Sequence, residues 1–191
     1  MADDVWLVVG LGNPGPSYAK TRHNVGQMVA DELAARVGGG WKQHKQVRAE
    51  VIEARIGGIR AILAKPRSYM NESGGPVSGL LKFFKVEPAT LVVIHDELDI
   101  DFGVLRAKYG GGDNGHNGLK SLRKSLGTGD YYRLRFGVGR PPGRQSPADF
   151  VLDEFSSAER KDLPFAVDRS ADAVESLLTD GLEVTQGKYN S

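Results

Sequence analysis

His23 is the side chain of this 191-residue sequence best suited to move a proton near neutral pH. An unperturbed imidazole titrates near about 6.5, closer to neutrality than any other side chain. It lies in N-P-G-P-S-Y-A-K-T-R-H-N (residues 13–24), which also holds Asn13, Tyr18 and Arg22. A general base needs a neutral ring whose second nitrogen is held by an acceptor, commonly a carboxylate. Asp96, in L-V-V-I-H-D-E (residues 91–97), is the candidate acceptor. Further polar residues gather at Tyr69/Asn71 and at His116/Asn117. The amides of Asn13, Asn71 and Asn117 suit the stabilisation of a developing oxyanion. Together they read as a base-activated water attacking a carbonyl. Taken singly, each Asn reads as a turn residue, His23 as incidental to a turn, and Asp96 as a strand-end cap.

Other chemistries fail on their missing parts. Gly10, Gly12 and Gly15 match the dinucleotide pattern G-x-G-x-x-G, but that pattern needs a helix opening at the third glycine. Pro14 and Pro16 bracket Gly15, the next helical periodicity begins at Asn24, and Gly38-Gly39-Gly40 follow that helix where the ribose-binding acid is expected. The strand ending in H-D-E has no G-x-x-x-x-G-K-[ST] partner, and no G-x-S-x-G nucleophile elbow occurs. Cysteine is absent, which removes thiolate chemistry and disulfides. The four histidines show no ligand spacing, so no metal site is expected.

The elements that must position these residues are legible in outline. Residues 5–9 form a short valine-rich run that suits a buried strand, and the glycine/proline loop after it is where open α/β sheets keep their sites. Val25, Met28, Val29, Leu33 and Val37 recur at helical spacing, with Asn24 and Gln27 resembling a capping box. Residues 47–56 and 59–64 read as a hairpin turning at Gly57-Gly58. A short helix around Val77–Leu80–Phe84, strands at 91–94, 104–109 and 131–138, and a helix over 117–126 follow. Ser156 and Glu159 make a second capping box, with Pro164 in the first turn of a helix reaching about Thr179. This alternation predicts a single α/β domain over 1–191, with a mixed, largely parallel central sheet flanked by helices on both faces.

Hydrophobic residues at 40% and charged residues at 26% are ordinary for a soluble globule. The N-terminal M-A-D-D lacks a basic stretch followed by an apolar one, and no uncharged run approaches a membrane span, so a cytoplasmic protein is expected. Net charge is only +1, but its distribution is uneven. Residues 103–148 carry nine basic side chains, Lys108 and Arg140 among them, against Asp113 and Asp130, whereas residues 149–191 carry four against ten acids. Such an excess points to a polyanionic partner, or else to a solvated surface facing the acidic C-terminal helix of the same chain. The glycine-rich G-G-G-D-N-G-H-N-G (residues 110–118) opens into a helix followed by Lys120, Arg123 and Lys124, so its exposed N–H groups are a candidate phosphate cradle.

The blocks G-L-G-N-P-G (10–15), T-R-H-N (21–24), Y-M-N-E-S-G (69–74), H-D-E-L-D (95–99), G-H-N-G-L (115–119) and R-F-G-V-G-R-P (135–141) together resemble the bacterial-type peptidyl-tRNA hydrolases. Each block is weak alone; in family order, over nearly the whole chain, they are specific. The resemblance implies a monomeric cytoplasmic esterase without metal or cofactor. It would cleave a peptide from the terminal ribose of tRNA, engaging the acceptor stem and CCA end of a peptidyl-tRNA dropped from the ribosome. It makes His23 the base on water, Asp96 its orienting group, and Asn13 the residue that separates N-blocked from free aminoacyl ends. Tyr18, Tyr69, Asn71 and Asn117 would contact the substrate terminus, with Met70 and His116 lining the cleft and Lys108 and Arg140 on phosphates. The alternative is an RNA-binding relative of the same fold without catalysis. Asn114 in place of a usual glycine, Gln27 in place of an apolar residue, and Asp101 beside the cleft depart from the family pattern, and bear on loop mobility and affinity.

Overall fold

The computed structural model describes residues 4–190; residues 1–3, most of M-A-D-D, and residue 191 lie outside the described residues. Leu7, Val8 and Val9 of the first strand, β1 (Trp6–Gly10), are fully buried, as a strand with helices on both faces requires. The chain leaves β1 through the loop bearing Asn13 and Tyr18, tightens into a 3-10 turn at Arg22–Asn24, and enters α1 (Val25–Val37). Helix and strands meet at glycine. A Cβ on Gly10 would stand 2.3 Å from the Gly26 carbonyl oxygen, and one on Gly26 2.2 Å from the Ile94 carbonyl oxygen. This close approach brings the start of α1, and with it His23, down onto the strand tips.

The Asn24–Gln27 capping box does not form. Asn24 has φ −96° and ψ 9° rather than the extended backbone that aims a cap side chain at the helix. Its amide instead bonds the Asn13 backbone both ways, accepting from Asn13 N–H and donating to Asn13 O, each at 2.9 Å. Gln27 donates to the Pro66 carbonyl at 3.2 Å, which gives this polar residue a tertiary partner.

A two-residue strand, β2 (Lys42–Gln43), precedes the expected hairpin of β3 (Ala49–Ile56) and β4 (Ile59–Pro66), in which Ile56 faces Ile59. A 3-10 turn at Met70–Glu72 leads into α2 (Gly74–Phe84). Then come β5 (Leu91–Glu97), β6 (Leu105–Tyr109), α3 (Asn117–Leu126) and β7 (Tyr132–Gly137). The short α4 (Pro147–Val151), α5 (Ser157–Thr179) and α6 (Leu182–Tyr189) complete the described chain. β2, α4 and α6 are short and carry no periodicity that foretells them. The Ser156–Glu159 capping box is present, so α5 starts well before Pro164, which sits in the exposed interior of the helix rather than its first turn.

The strands order as β2-β3-β4-β1-β5-β7-β6, with β4, β1, β5 and β7 parallel and the outer strands antiparallel. The result is a single α/β domain with a mixed, largely parallel sheet. One core joins Val8, Val92 and Ile94 to Val25 and Val29 of α1 and Val174 and Leu178 of α5. The other joins Leu7, Val9 and Val93 to Val77 and Leu80 of α2 and Leu119 and Leu122 of α3. At roughly 1.5–3 kcal/mol per fully buried aliphatic side chain, these two layers give the strand tips a rigid base. No described helix is long and apolar enough to cross a membrane.

Three acids of α5 gather on α1, while α6 and the residue after it pack on β6 of the basic segment, where Gln186 and Asn190 both donate to the Ala107 carbonyl. Asp168, Asp172 and Glu175 of α5 converge on Arg36 of α1 at 2.5, 2.8 and 3.0 Å, together with Glu32 at 3.0 Å.

Candidate active site

Asp96 stands at the carboxyl end of β5, between the two helix layers, and both layers reach it with an imidazole. His23, from the turn before α1, directs Nδ1 at Asp96 Oδ2 at 2.8 Å; His116, at the start of α3, directs Nε2 at Asp96 Oδ1, also at 2.8 Å. The carboxylate is 2% exposed, so both contacts are shielded from water. Burial alone would lower the pKa of His23, but the charge and hydrogen bond of Asp96 outweigh it and hold the ring above its usual 6.5. Burial would raise Asp96; the two imidazoles more than reverse this and keep it well below the carboxylate range. With Nδ1–H donated to Asp96, Nε2 carries the lone pair of the neutral His23 ring. A cavity of about 350 Å³ adjoins it, lined by His23, Asp96, Glu97, His116 and Asn117 and closed by Pro147 and Val151 of α4.

The donor atoms of His23, Asp96 and His116 lie within 4.8 Å of one another, a grouping hidden by their separation in sequence. These donors are spent on each other. Both imidazoles already meet the carboxylate at hydrogen-bond distance, and the second nitrogen of His116 accepts from Gly118 N–H at 3.0 Å and Leu119 N–H at 3.3 Å. The same bonds correct the expectation of a phosphate cradle at the start of α3, because the backbone donors that would hold the anion are capped by the His116 ring.

A second cluster continues the site along β1 and β4. Asn13 is buried, and its Oδ1 accepts the Met70 N–H at 2.7 Å. Tyr18 and Tyr69 pack edge to face with centroids 6.2 Å apart, and Tyr69 is 53% exposed. Asn71 lies exposed on the following 3-10 turn. Gly118 joins the two clusters: a Cβ there would lie 2.7 Å from Met70 Sδ and 2.9 Å from the His116 ring. Contacts thus run from His23 and Asp96 through His116 and Gly118 to Met70 and Asn13.

Lys108 lines an adjoining cavity of about 410 Å³ with His95, Glu97, Arg133 and Arg135. Lys108 faces Arg133 across β6 and β7, and Arg106 faces Arg135, so one surface of these strands is a cationic strip. Burial, then the charges of Arg135 and Arg133, depress the Lys108 pKa. The Nε atoms of Arg133 and Arg135 and the Nε2 of His95 are buried without partners among the described residues. Arg133 is anchored by the carbonyls of Gly111, Gly112 and Gly129. Burial also holds the His95 pKa at about 3, and its Nδ1 lies 2.8 Å from the Asp96 carbonyl.

Arg133 and Arg135 are two of the nine basic residues of the 103–148 segment. The period-two alternation of residues 132–137, which turns both to one face, was the signal that could have singled them out. Arg140, chosen instead, lies outside this cavity and pairs through Nε with Asp99 at 2.7 Å. Asn114 stands between the two cavities at φ +49°, donating to Glu97 and, at 2.7 Å, to Asp99. Asp101 is exposed and lines neither of them.

An α/β sheet whose carboxyl edge presents an imidazole backed by a buried carboxylate, with amides beside it, defines an enzyme built for base-assisted chemistry on a polar substrate. Comparison with known proteins narrows the class. The family model described as peptidyl-tRNA hydrolase matches residues 7–191. The peptidyl-tRNA hydrolase of Streptomyces avermitilis is 63% identical over 100% of this chain and 96% of its own length, and that of Rhodococcus erythropolis 59% over the whole of both. The crystal structure of peptidyl-tRNA hydrolase from Acinetobacter baumannii superposes with a TM-score of 0.92 at 34% identity, covering 100% of this chain and 97% of that one. The chain belongs to the peptidyl-tRNA hydrolase family and is an enzyme of that kind.

Proposed function

We propose that His23 is the general base in hydrolysis of the ester that joins a peptide, or an N-blocked amino acid, to the terminal ribose of tRNA. The observation that carries this reading is the buried 2.8 Å contact between His23 Nδ1 and Asp96 Oδ2, which leaves Nε2 facing the cavity. Water there gives its proton to His23 Nε2 as its oxygen attacks the ester carbonyl. The tetrahedral oxyanion is met by amide donors, with Asn117 on the cavity wall and Asn71 beside the cleft. On collapse, the imidazolium returns the proton to the departing ribose oxygen, releasing free tRNA and the peptide acid. General base assistance contributes about 10²–10⁴-fold, and an oxyanion donor a similar factor.

Asn13 Nδ2 would bond the amide carbonyl of an N-blocked substrate, a group a free α-amine lacks, and sites built on such a bond discriminate strongly. Tyr18 and Tyr69, with Met70 and His116 behind them, would receive the CCA end, the exposed Tyr69 ring offering a stacking surface. Lys108 and Arg135 would hold acceptor-stem phosphates, with Arg140 a weaker contributor while Asp99 neutralises it. The enzyme would act as a cytoplasmic monomer. Release of tRNA from a defined N-acetyl-aminoacyl-tRNA by the purified protein tests the reading. Retention of RNA without release would favour a non-catalytic relative.

A further inference from the structure

Asp96 has two oxygens, and His116 holds the one that His23 does not use. The tautomer of His116 follows from its neighbours. Its Nδ1 faces two backbone N–H groups, at 3.0 Å from Gly118 and 3.3 Å from Leu119, so it must carry a lone pair, and the ring proton lies on Nε2, where it is donated to Asp96 Oδ1 at 2.8 Å. The ring is further fixed by its packing. His95 meets it edge to face with centroids 5.1 Å apart, and the His23 ring lies 5.0 Å from it at 45°. A carboxylate bonded through one oxygen can still rotate; one bonded through both to elements of opposite layers cannot.

We propose that His116 is a positioning residue. By donating to Asp96 Oδ1 it fixes the plane of the carboxylate, and so the direction in which the His23 Nε2 lone pair meets the attacking water, with the N-terminus of α3 as its anchor. This rests on the reading of His23 as the base. His116 touches no reacting atom; it acts through Asp96. The ionisable groups that face this chain of bonds are His23 from the α1 side and Asp96, His95 and Glu97 from β5.

Two substitutions separate the structural role from the positioning role. In His116→Asn the amide oxygen can still cap α3, since Asn is a favoured N-cap, but the donor to Asp96 is lost. In His116→Gln the longer amide can reach Asp96 with an N–H while capping poorly. The expected result for His116→Asn is near wild-type thermal stability, kcat reduced by about tenfold or more, as small misorientations at reacting centres are costly, and KM little changed. Its acid limb should move to higher pH, because Asp96 then shares its charge with His23 alone. His116→Gln should recover kcat toward wild type while its Tm falls. Both kcat and the acid limb of His116→Asn within twofold of wild type, with His23→Ala inactive, would overturn the positioning role alone. Full turnover by His23→Ala would overturn the underlying reading as well. Ring nitrogen chemical shifts of His116 in the wild-type protein give a test independent of activity. A protonated Nε2 and bare Nδ1 on the neutral ring is expected, and the other tautomer would overturn it.

Discussion

Asp96 Oδ2 and His23 Nδ1 are 2.8 Å apart although 73 residues separate them in the chain. The contact exists because Gly10 and Gly26 let α1 descend onto the strand tips, and because β5 ends beside β1. From it, and from the contacts around it, five expectations follow.

The pH dependence comes first. A base acts only when unprotonated, and Asp96 holds the His23 pKa above 6.5, so kcat/KM should rise with pH through an inflection above 6.5. Asp96→Asn removes the charge that favours the imidazolium, so the inflection should drop while kcat falls more than KM rises. A rate profile on a defined N-blocked substrate measures both.

His23→Ala should reduce kcat by about 10²–10⁴-fold, the usual share of general base assistance. Binding of tRNA, measured by fluorescence anisotropy, should stay close to wild type, since the cationic strip lies in the neighbouring cavity.

Asn13→Ala should narrow the preference for N-blocked over free aminoacyl-tRNA by about tenfold or more, because the amide donor proposed to bond the blocking group is lost. It also leaves the buried Met70 N–H without its 2.7 Å partner, at a cost of about 1–3 kcal/mol in chemical denaturation.

Lys108→Ala and Arg135→Ala should each flatten the log–log salt dependence of tRNA binding by about one unit, the contribution of one phosphate contact. Arg140→Ala should change the slope less, because Asp99 already holds that guanidinium at 2.7 Å. Binding titrations across a salt series separate the three.

Gly10→Ala should lower stability by about 1–3 kcal/mol or more, since its methyl would sit 2.3 Å from the Gly26 carbonyl oxygen. The shift displaces His23 from Asp96 as well, so activity should fall further than the loss of folded protein accounts for.

The sequence by itself determined the strands and longer helices, because burial on both faces writes an apolar run and burial on one face writes a period. It also determined the family, and the residues worth watching, His23, Asp96 and Asn13, because imidazole, carboxylate and amide chemistry is carried by residue type. What it did not determine was pairing. Asn24 and Gln27 carry a local capping pattern, yet the structure spends their amides on Asn13 and Pro66. Arg140 and Arg135 look alike as charges, but only the tertiary structure neutralises one with Asp99 and leaves the other in a cavity beside Lys108. The glycine-rich loop carries the composition of a phosphate cradle, yet His116 caps the helix and reaches Asp96. Periodicity is a property of neighbours along the chain; the partner of a polar group is fixed by which distant segments the two cores press together, and that was decided in three dimensions.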